Sequence, residues 1–404
     1  MSNRHTRSSG RQTRIRNQIW EILTSGVPSA HRRMRSGAAR RQRPGNGQGQ
    51  IWSRAWPGRQ YTAPVNPQSS LPEAVDAVAG EHSFSGVVSV DRGGKVELAR
   101  AYGLAHRAHQ IPNTVDTRFA IASGAKGLTA LVVVSLIEQG VLELSSTARS
   151  VLRDDLPLID DRVTVEQLLA HRSGIGDYLD EHDDSLDVND YLMPVPVQEL
   201  ADAEQYLAVL DGFPAKFPPG ERFSYCNSGY VVLALIAERA SGVPYHDLVR
   251  TRVCEPAGMR DTEFLRSDEL PDRTATGYVP AGGGRWRSNV FHLPVRGVGD
   301  GGAYTTVADL SSFWRTLFAG QIVPAKWVAE MVRPHNDVPG EPRRCGLGFF
   351  LHESRDQVML IGHDAGVSFM SVHDPAPGLT YTVISNTADG AWPVLRPLRE
   401  RLSA

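Results

Sequence analysis

Apolar and polar residues alternate with a period of two towards both ends of the chain and follow a helical period between them. Near the start, segments 84–90 and 96–102 carry the alternation of half-buried strands, and the Gly-containing segment 91–95 is typical of a turn. The preceding segment, 71–78, has the spacing of a short helix. We therefore predict a helix followed by an antiparallel hairpin where the ordered chain begins.

The C-terminal part of the chain returns to strand periodicity. Strands are predicted over 346–351, 357–361, 367–372 and 379–384, and a terminal helix over 392–402. Residues 119–298 have the pattern of helices and loops, with an apolar helix that begins near Ser123, a capped helix over 163–171 and a second apolar helix over 229–240. The pattern predicts an α+β fold. One antiparallel sheet is built from N- and C-terminal strands and flanked by helices, and a mainly helical subdomain is inserted at about 119–298.

Charge is distributed unevenly along the chain. Of the 43 basic residues only four are Lys, and residues 1–60 contain 13 Arg, no Lys and one acid, Glu21. The rest then carries 30 basic and 44 acidic residues, a net charge of −14, and this disfavours nucleic-acid binding by the globular part. We expect residues 1–66 to be a disordered Arg-rich leader and residues 67–404 to form one domain. An organellar transit peptide, or a basic arm for nucleic acid or acidic lipid, is the alternative for the leader.

Cysteine usage and hydropathy bear on the compartment. The three cysteines, Cys226, Cys254 and Cys345, have no Cys-x-x-Cys spacing and, as an odd number, give no disulfide framework. No uncharged apolar run reaches the roughly 18 residues of a transmembrane helix. The apolar stretch around Glu21 is too short and too charged for a signal peptide. We expect no transmembrane segment and a cytoplasmic location.

The first candidate for chemistry is Ser123, three residues before Lys126 at the start of an apolar helix. Side chains at i and i+3 share one helix face. A buried Lys loses hydration, so its pKa falls, and the neutral amine can accept the Ser hydroxyl proton during formation of an acyl-enzyme. The helix N-terminus favours the developing oxyanion. The alternative is a Ser that caps the helix beside an exposed Lys.

Two later segments hold further candidates. Tyr225 can serve as a general base if a nearby Lys cation brings it to the phenolate form, and the Asn227 amide can hydrogen-bond both Lys and a substrate carbonyl. His363 lies in segment 362–366, between two strands predicted to be edge-like, where a substrate can lie along the backbone. Taken alone, a buried loop Tyr and a structural His are the better explanations of Tyr225 and His363.

The order of these motifs resembles the serine β-lactamase and penicillin-binding-protein superfamily. The closest resemblance is to the branch with class C β-lactamases, D-Ala-D-Ala carboxypeptidases, D-aminopeptidases and related esterases. It covers about residues 72–400, and segments 164–174, 217–221 and 301–310 match the usual landmarks.

The resemblance implies a role for each residue of the first two motifs. Ser123 would be the acylated nucleophile and Lys126 its proton acceptor. Tyr225 would pass the proton to the leaving group and later activate the deacylating water. Asn227 would orient Lys126 and the substrate amide or ester. No metal or cofactor is implied.

The third motif departs from the family pattern. By resemblance His363 would supply positive charge at the cleft, and the N–H groups of Ser123 and Gly366 would form the oxyanion hole. The usual residue after the Lys or His is Thr or Ser, followed by Gly, whereas this chain has Asp364 and Ala365. The usual hydroxyl helps bind a substrate carboxylate; Asp364 lacks that donor and repels an anion at close range. Ala365 adds a methyl group where the family often has Gly, and this slightly narrows the space in which a substrate approaches the backbone.

The sequence therefore predicts a serine hydrolase that acts through an acyl-enzyme on Ser123, on a small-molecule or peptide substrate. An ester or neutral amide is favoured, unless Asp364 points away into solvent as strand alternation allows. D-Ala-D-Ala carboxypeptidase or β-lactamase activity is the alternative, and a non-catalytic ligand-binding or scaffold relative is another. The oligomeric state stays open.

Two other hydrolase classes and a metal site are disfavoured. The chain has no Gly-x-Ser-x-Gly and no His-Glu-x-x-His, which disfavours an α/β-hydrolase and a zinc hydrolase. Segment 177–190 holds seven acidic residues and His182, but the spacing matches no known cation loop. We expect a solvated loop there rather than a calcium site.

Overall fold

The fold is built around an antiparallel sheet whose strands come from both ends of the chain. The computed structural model describes residues 69–182 and 187–402, so the predicted leader, 1–66, lies outside the described residues. The strands in these ranges are β1 Gly86–Arg92, β2 Lys95–Tyr102, β3 Leu104–His106, β4 Ile111–Pro112, β5 Phe119–Ala120, β6 Tyr278–Pro280, β7 Trp286–Ser288, β8 Tyr304–Thr305, β9 Asn336–Asp337, β10 Arg343–Cys345, β11 Phe350–His352, β12 Val358–Asp364, β13 Val367–Asp374 and β14 Leu379–Ser385.

Pairing between β1 and β14 joins the N-terminal strands of the domain to its C-terminal strands in one sheet. The order in the described residues is β2-β1-β14-β13-β12-β11-β10-β9. Val88 of β1 lies opposite Val383 of β14, and His363 of β12 lies opposite Ser368 of β13. The predicted α+β fold, with one antiparallel sheet made from both termini, is confirmed.

Helices cover both faces of this sheet. Those in the described ranges are α1 Leu71–Glu81, α2 Lys126–Glu138, α3 Ala148–Leu152, α4 Val165–Leu169, α5 Leu207–Leu210, α6 Asn227–Ser241, α7 Tyr245–Val249, α8 Glu255–Ala257, α9 Val307–Phe318, α10 Ala325–Met331 and α11 Ala391–Leu402. Helices α2 to α8 fall within the predicted helical subdomain, whose boundaries stay a prediction.

Two clusters of buried apolar side chains lie on opposite faces of the sheet. Val75 of α1 and Trp392 of α11 pack with Met359 of β12 on one face. Leu131 of α2 packs with Leu360 of β12 on the other face. Successive residues of β12 therefore alternate between the two clusters, as expected for a strand that is covered on both sides.

Helix α2 is the buried centre of the helical side. Its residues from Lys126 to Leu136 are all buried, and it is apolar all round, as expected for a helix enclosed by other elements. The predicted cap of the short helix that follows is also present. Thr164 and Gln167 form a reciprocal capping box at the start of α4.

Two details of the predicted sheet were wrong or incomplete. The strand predicted over 346–351 begins only at Phe350, because Gly348 has φ 84° and lies so close to α2 that an added Cβ would overlap Ala130. The short strands β9 and β10 were not predicted.

Strand β12 lies inside the sheet, but β11 pairs only with Val358 and Met359. In the described residues, the part of β12 from Leu360 onwards therefore has a strand neighbour on one side only, as the edge-like prediction required.

Within residues 69–182 and 187–402, no helix combines the length and the apolar character needed to cross a bilayer.

Candidate active site

Ser123 lies in a single 3₁₀ turn, Ala122–Ala125, that leads directly into α2. In a 3₁₀ turn, side chains three residues apart lie one above the other, which brings Ser123 and Lys126 together. Lys126 Nζ is 3.0 Å from Ser123 Oγ. The residue before the serine, Ala122, has φ 45°, a left-handed conformation that is strained for a residue with a side chain. Because the N-cap of α2 is Ala125, Ser123 is not a capping residue of this helix.

Lys126 is buried and its amino group is surrounded by three acceptors. Its Nζ lies 3.0 Å from Ser123 Oγ, 2.8 Å from Asn227 Oδ1 and 2.6 Å from the backbone oxygen of Asp300. A neutral amine in this position can donate to Asn227 and Asp300 and accept from the Ser123 hydroxyl. The contact set therefore suits a base that takes the serine proton, and it excludes the exposed Lys of the capping alternative.

The charge state of Lys126 is set by two opposing effects. Burial lowers the pKa of Lys126 below its ordinary value, because the ammonium loses hydration. The carboxylates of Asp300, Glu181, Asp177 and Asp364 raise this pKa again. The neutral form is therefore made accessible by burial, and the carboxylates limit how far the pKa falls.

Tyr225 stands beside the serine and the lysine. Lys126 Nζ lies 5.0 Å from the centre of the Tyr225 ring. Burial raises the pKa of Tyr225 well above its ordinary value, the Glu181 charge adds to this, and a hydrogen bond with Ser123 opposes it. The phenolate expected from the nearness of Lys126 is therefore disfavoured, because burial and the Glu181 charge raise the pKa of the phenol. Tyr225 is a neutral phenol in contact with the serine.

His171, which had no predicted role, supports the Tyr225 loop. Its ring stacks on Tyr225 at 4.5 Å and lies 4.9 Å from Tyr230. The Cys226 N–H donates to His171 Nδ1 at 3.1 Å. Burial, and secondarily the Lys126 charge, lower the pKa of His171 well below its usual value, so the ring is neutral. The sequence signal was the landmark segment 164–174, which contains this residue.

Asn227 is positioned by the start of α6 and by a carboxylate that was not predicted. Asp177 accepts the N–H groups of Asn227 and Ser228, both at 2.9 Å. A carboxylate at a helix N-terminus is favourable because the first N–H groups lack intrahelical partners. The Asn227 side chain donates to the Leu179 carbonyl at 2.8 Å and to Glu181 at 3.2 Å, which leaves its oxygen for Lys126. Burial raises the pKa of Asp177 to about 6.

Asp300 is a second carboxyl group that the sequence did not single out. Its backbone oxygen accepts from Lys126, and its side chain accepts from the Tyr178 hydroxyl at 2.5 Å. Burial raises the pKa of Asp300, and the Lys126 charge opposes the shift. Asp300 is 174 residues away from Lys126 in the chain, so only the fold brings the two together.

The third motif meets the Ser123 turn at Gly362. A Cβ added there would overlap the Ile121 carbonyl oxygen, so β12 and the serine turn approach closely. Asp364, two residues on, shares this face of the strand. The His363 ring lies on the other face, 6.2 Å from the Trp392 ring of α11. The cationic role of His363 in the cleft stays a prediction.

Asp364 is partly buried, and the charges around it connect it with the serine site. The pKa of Asp364 is raised to about 7, mainly by burial and also by the charges of Asp300 and Glu181. The Ala365 N–H, which donates to Asp364 Oδ1 at 2.8 Å, and the Lys126 charge act in the opposite direction. The carboxyl group therefore does not point away into bulk solvent.

Ala365 and Gly366 form the tight turn between β12 and β13. Ala365 is fully buried, and its φ is outside the left-handed region. Gly366 has φ 69°, and a Cβ there would come within 2.6 Å of the Tyr278 nitrogen, so this position requires glycine. The described residues contain no group of three His, Cys, Asp or Glu side chains arranged to hold a metal ion. Residues 183–186 of the acidic segment lie outside the described ranges.

Comparison with known proteins identifies relatives that cover most of the chain. The sequence profile of the family described as Beta-lactamase matches residues 71–404. Penicillin-binding protein 4* of Bacillus subtilis (strain 168) is 28% identical over 323 residues, which are 74% of this chain and 67% of the relative. Esterase EstB of Burkholderia gladioli is 29% identical over 371 residues, 79% of this chain and 91% of the esterase.

A further relative is a longer protein, of which only about half is matched by this chain. The D-aminopeptidase of Brucella anthropi is 28% identical over 285 residues, which are 69% of this chain and 51% of that protein. The chain therefore spans about half the length of this relative.

The fold agrees with a solved structure of the same group. The penicillin binding protein from Bacillus halodurans superposes with a TM-score of 0.76 and 32% sequence identity, covering 81% of this chain and 99% of that one. The predicted resemblance to this superfamily is confirmed. With the profile match over residues 71–404, the chain belongs to the β-lactamase family of serine hydrolases.

Proposed function

We propose that the chain is an acyl-enzyme hydrolase of esters or neutral amides, with Ser123 as nucleophile and Lys126 as its base. The observation that carries this proposal is the contact set of Lys126. Its amino group reaches Ser123 Oγ at 3.0 Å and is held by Asn227 and by the Asp300 carbonyl. A buried amine with two acceptors and one hydroxyl is arranged to take a proton from that hydroxyl.

Tyr225 supplies the next proton transfer in this mechanism. As a neutral phenol hydrogen-bonded to Ser123, Tyr225 can give its proton to the leaving group. The phenolate that results can take a proton from water in the second half-reaction. Ser123 attacks the substrate carbonyl carbon as its proton moves to Lys126, and the bond to the leaving group breaks. Water then cleaves the acyl-serine bond, and the proton on Lys126 returns to Ser123 Oγ. We further propose that the N–H groups of Ser123 and Gly366 bind the oxyanion.

Asp364 supports an ester or neutral amide over a substrate with a free carboxylate. It stands where the family pattern has a hydroxyl, and the charges of Asp300 and Glu181 also raise the pKa of its carboxyl group. Two like charges about 4 Å apart repel by several kcal/mol in a partly buried site. D-Ala-D-Ala carboxypeptidase and β-lactamase activities, which act on anionic substrates, are accordingly the less favoured proposals. A cytoplasmic location also stays a prediction.

A substrate panel tests this proposal. Short-chain aryl esters, D-amino-acid amides and a chromogenic cephalosporin are offered to wild-type protein and to Ser123→Ala. We expect the aryl ester to be hydrolysed fastest and Ser123→Ala to lose roughly a thousandfold or more in kcat/KM. Faster turnover of the cephalosporin than of the ester would refute the substrate class, and full activity of Ser123→Ala would refute the nucleophile.

The base is tested by Lys126→Arg. Arginine keeps the positive charge but cannot give up its proton, so we expect kcat to fall by about a hundredfold or more. Lys326→Arg is the matched control, because Lys326 is 67% exposed and lies on α10. Normal turnover of Lys126→Arg would show that the lysine is not the base.

A further inference from the structure

Two large apolar side chains are left in solvent on loops beside the candidate active site. Phe291 is 76% exposed and Leu192 is 69% exposed, the highest values among the large apolar side chains of the described residues. A single exposed apolar residue is ordinary in a soluble domain. These two, however, lie on adjoining loops that are both tied to the residues around Ser123.

Phe291 is tied to the third motif through Asn289. The buried Asn289 side chain donates to the Ala365 carbonyl at 2.8 Å, and the Asn289 N–H donates to the Gly277 carbonyl at 3.0 Å. The His292 N–H donates back to the Asn289 carbonyl at 2.8 Å, so Phe291 lies inside a closed turn. Two residues of chain span about 7 Å at most. Phe291 therefore stands close to the turn that carries Gly366.

Leu192 is tied to the same region from the other side. Its neighbour Tyr191 donates through the hydroxyl to the Tyr178 carbonyl at 3.0 Å, and the Tyr191 carbonyl lies 3.4 Å from His292 Nδ1. Burial raises the pKa of Tyr191 to about 12, and the charges of Asp177 and Asp364 contribute to that shift. Tyr191 is thus near Asp364, and Leu192 adjoins the Phe291 turn.

The charged side chain beside these two loops has an ionic partner, whereas the side chains of Phe291 and Leu192 are exposed to solvent. Arg287, on the strand before the Phe291 turn, lies 3.7 Å from Asp190 and 3.5 Å from the Asn189 carbonyl. The interior of the cleft carries Asp364 and Glu181, which disfavour an anion. A hydrocarbon group satisfies both conditions, because it brings no charge to the carboxylates and covers exposed apolar surface.

We propose that Phe291 and Leu192 form an apolar rim that binds the acyl chain of the substrate and makes the enzyme prefer esters of medium-chain acids. This inference rests on the proposed function, since it assigns the acyl part of a substrate that Ser123 attacks. Asn289 and Tyr191 hold the two loops of the rim in the absence of substrate, so the acyl chain of the substrate binds a preformed surface.

The test is a series of 4-nitrophenyl esters with acetyl, butyryl, hexanoyl and octanoyl groups, used below their micellar concentrations on the full-length protein. A fully buried methylene is worth about fourfold in binding and one that is half covered about twofold. We expect kcat/KM of wild type to rise by roughly twofold per methylene up to the hexanoyl ester. In Phe291→Ser with Leu192→Ser the dependence should be lost, so that kcat/KM for the hexanoyl ester comes within about twofold of that for the acetyl ester. Phe291→Leu should keep most of the dependence.

Val96→Ser is the matched control, because Val96 is 59% exposed on β2, at the far edge of the sheet. A flat chain-length series in wild type would overturn the rim, and so would an unchanged series in the double variant. Hydrolysis of the acetyl ester and its loss in Ser123→Ala test the proposed function separately. A flat series with an active, Ser123-dependent enzyme thus removes the rim alone. No hydrolysis of any ester removes the rim together with the ester part of the proposed function, which the amides of the substrate panel then test separately.

Discussion

Four carboxyl groups surround the buried amine of Lys126, and they determine how this residue works. Asp300, Glu181, Asp177 and Asp364 all raise the pKa that burial lowers. A lysine without these charges would be neutral over a wider pH range, whereas its orientation depends on Ser123, Asn227 and the backbone oxygen of Asp300. The site therefore combines a base with an acidic lining, which suits an uncharged substrate.

Asp364 gives this lining a pH dependence near neutrality. Because its pKa is raised to about 7, the carboxyl group is neutral below that pH and charged above it. We expect kcat/KM for an anionic ester such as 4-nitrophenyl hemisuccinate, divided by kcat/KM for 4-nitrophenyl acetate, to fall by about tenfold from pH 6 to pH 8. The ratio cancels the titration of Lys126, which affects both substrates.

Asp364→Asn is the control for this pH dependence, because it removes the charge and keeps the size. The ratio should then be nearly independent of pH and close to the low-pH value of wild type. A wild-type ratio that does not change between pH 6 and pH 8 would contradict the assignment of Asp364 to the substrate end of the cleft.

Some of these residues could be predicted from the sequence and others could not. Ser123 and Lys126 are three residues apart, so local geometry brings them into contact, and Asn227 was found through the order of motifs. Asp177 and Asp300 act through hydrogen bonds to segments that are 50 and 174 residues away. Neither lies in a local pattern that indicates chemistry, and both contacts depend on the tertiary fold.

At the scale of elements, the site depends on how closely β12 approaches the turn before α2. Gly362 faces the Ile121 carbonyl oxygen and the Gly124 nitrogen without room for a methyl group. The 3₁₀ turn of Ser123 was not predicted as separate from α2, because the apolar period runs through both. The left-handed φ of Ala122, just before Ser123, also has no local sequence signal.

Gly362→Ala tests the approach of these two elements. The added methyl must push β12 away from the Ser123 turn, because the atom it meets belongs to the backbone. A displacement of about 1 Å at a catalytic site can cost about a hundredfold in rate, so we expect a loss of that order in kcat on an aryl ester. Unfolding followed by circular dichroism should show a destabilisation of about 1–3 kcal/mol.

Gly80→Ala is the matched control, because a Cβ added at Gly80 in α1 meets no atom within 4 Å. This variant should keep full activity and be as stable as wild type or slightly more so. Wild-type kcat in Gly362→Ala would contradict the close contact between β12 and the Ser123 turn.

For the whole molecule, the sheet ties the first strand of the domain to the last. Ser85 Oγ donates to Asn386 Oδ1 at 2.7 Å, and the Asn386 side chain donates to the Leu104 carbonyl at 2.9 Å and the Thr276 carbonyl at 3.0 Å. Strand alternation at the two ends made this arrangement predictable. The loops between the helices were less predictable, because their hydropathy follows no simple period. Their backbone is held by buried polar contacts such as those of His171 and Asp177.

The proposed boundary of the domain, residue 67, is tested by removing residues 1–66. The family profile begins at residue 71, and both buried clusters are formed by later residues. We expect the shortened chain to keep kcat/KM within about twofold and its Tm within about 2 °C of the full chain, because about 1 kcal/mol shifts Tm by only about 1–2 °C in a domain this large. A loss of more than about tenfold in activity would contradict the boundary.

The most direct test of the central claim is covalent labelling of the native protein with a fluorophosphonate, followed by intact-mass measurement and peptide mapping. Ser123 should gain one phosphonyl group per chain, Ser145→Ala on the exposed surface should label like wild type, and Ser123→Ala and heat-denatured protein should not be labelled. Lys126→Arg should label at least about a hundredfold more slowly, since the base is lost. A folded wild-type protein that is not labelled, or is labelled at another residue, would contradict Ser123 as the nucleophile.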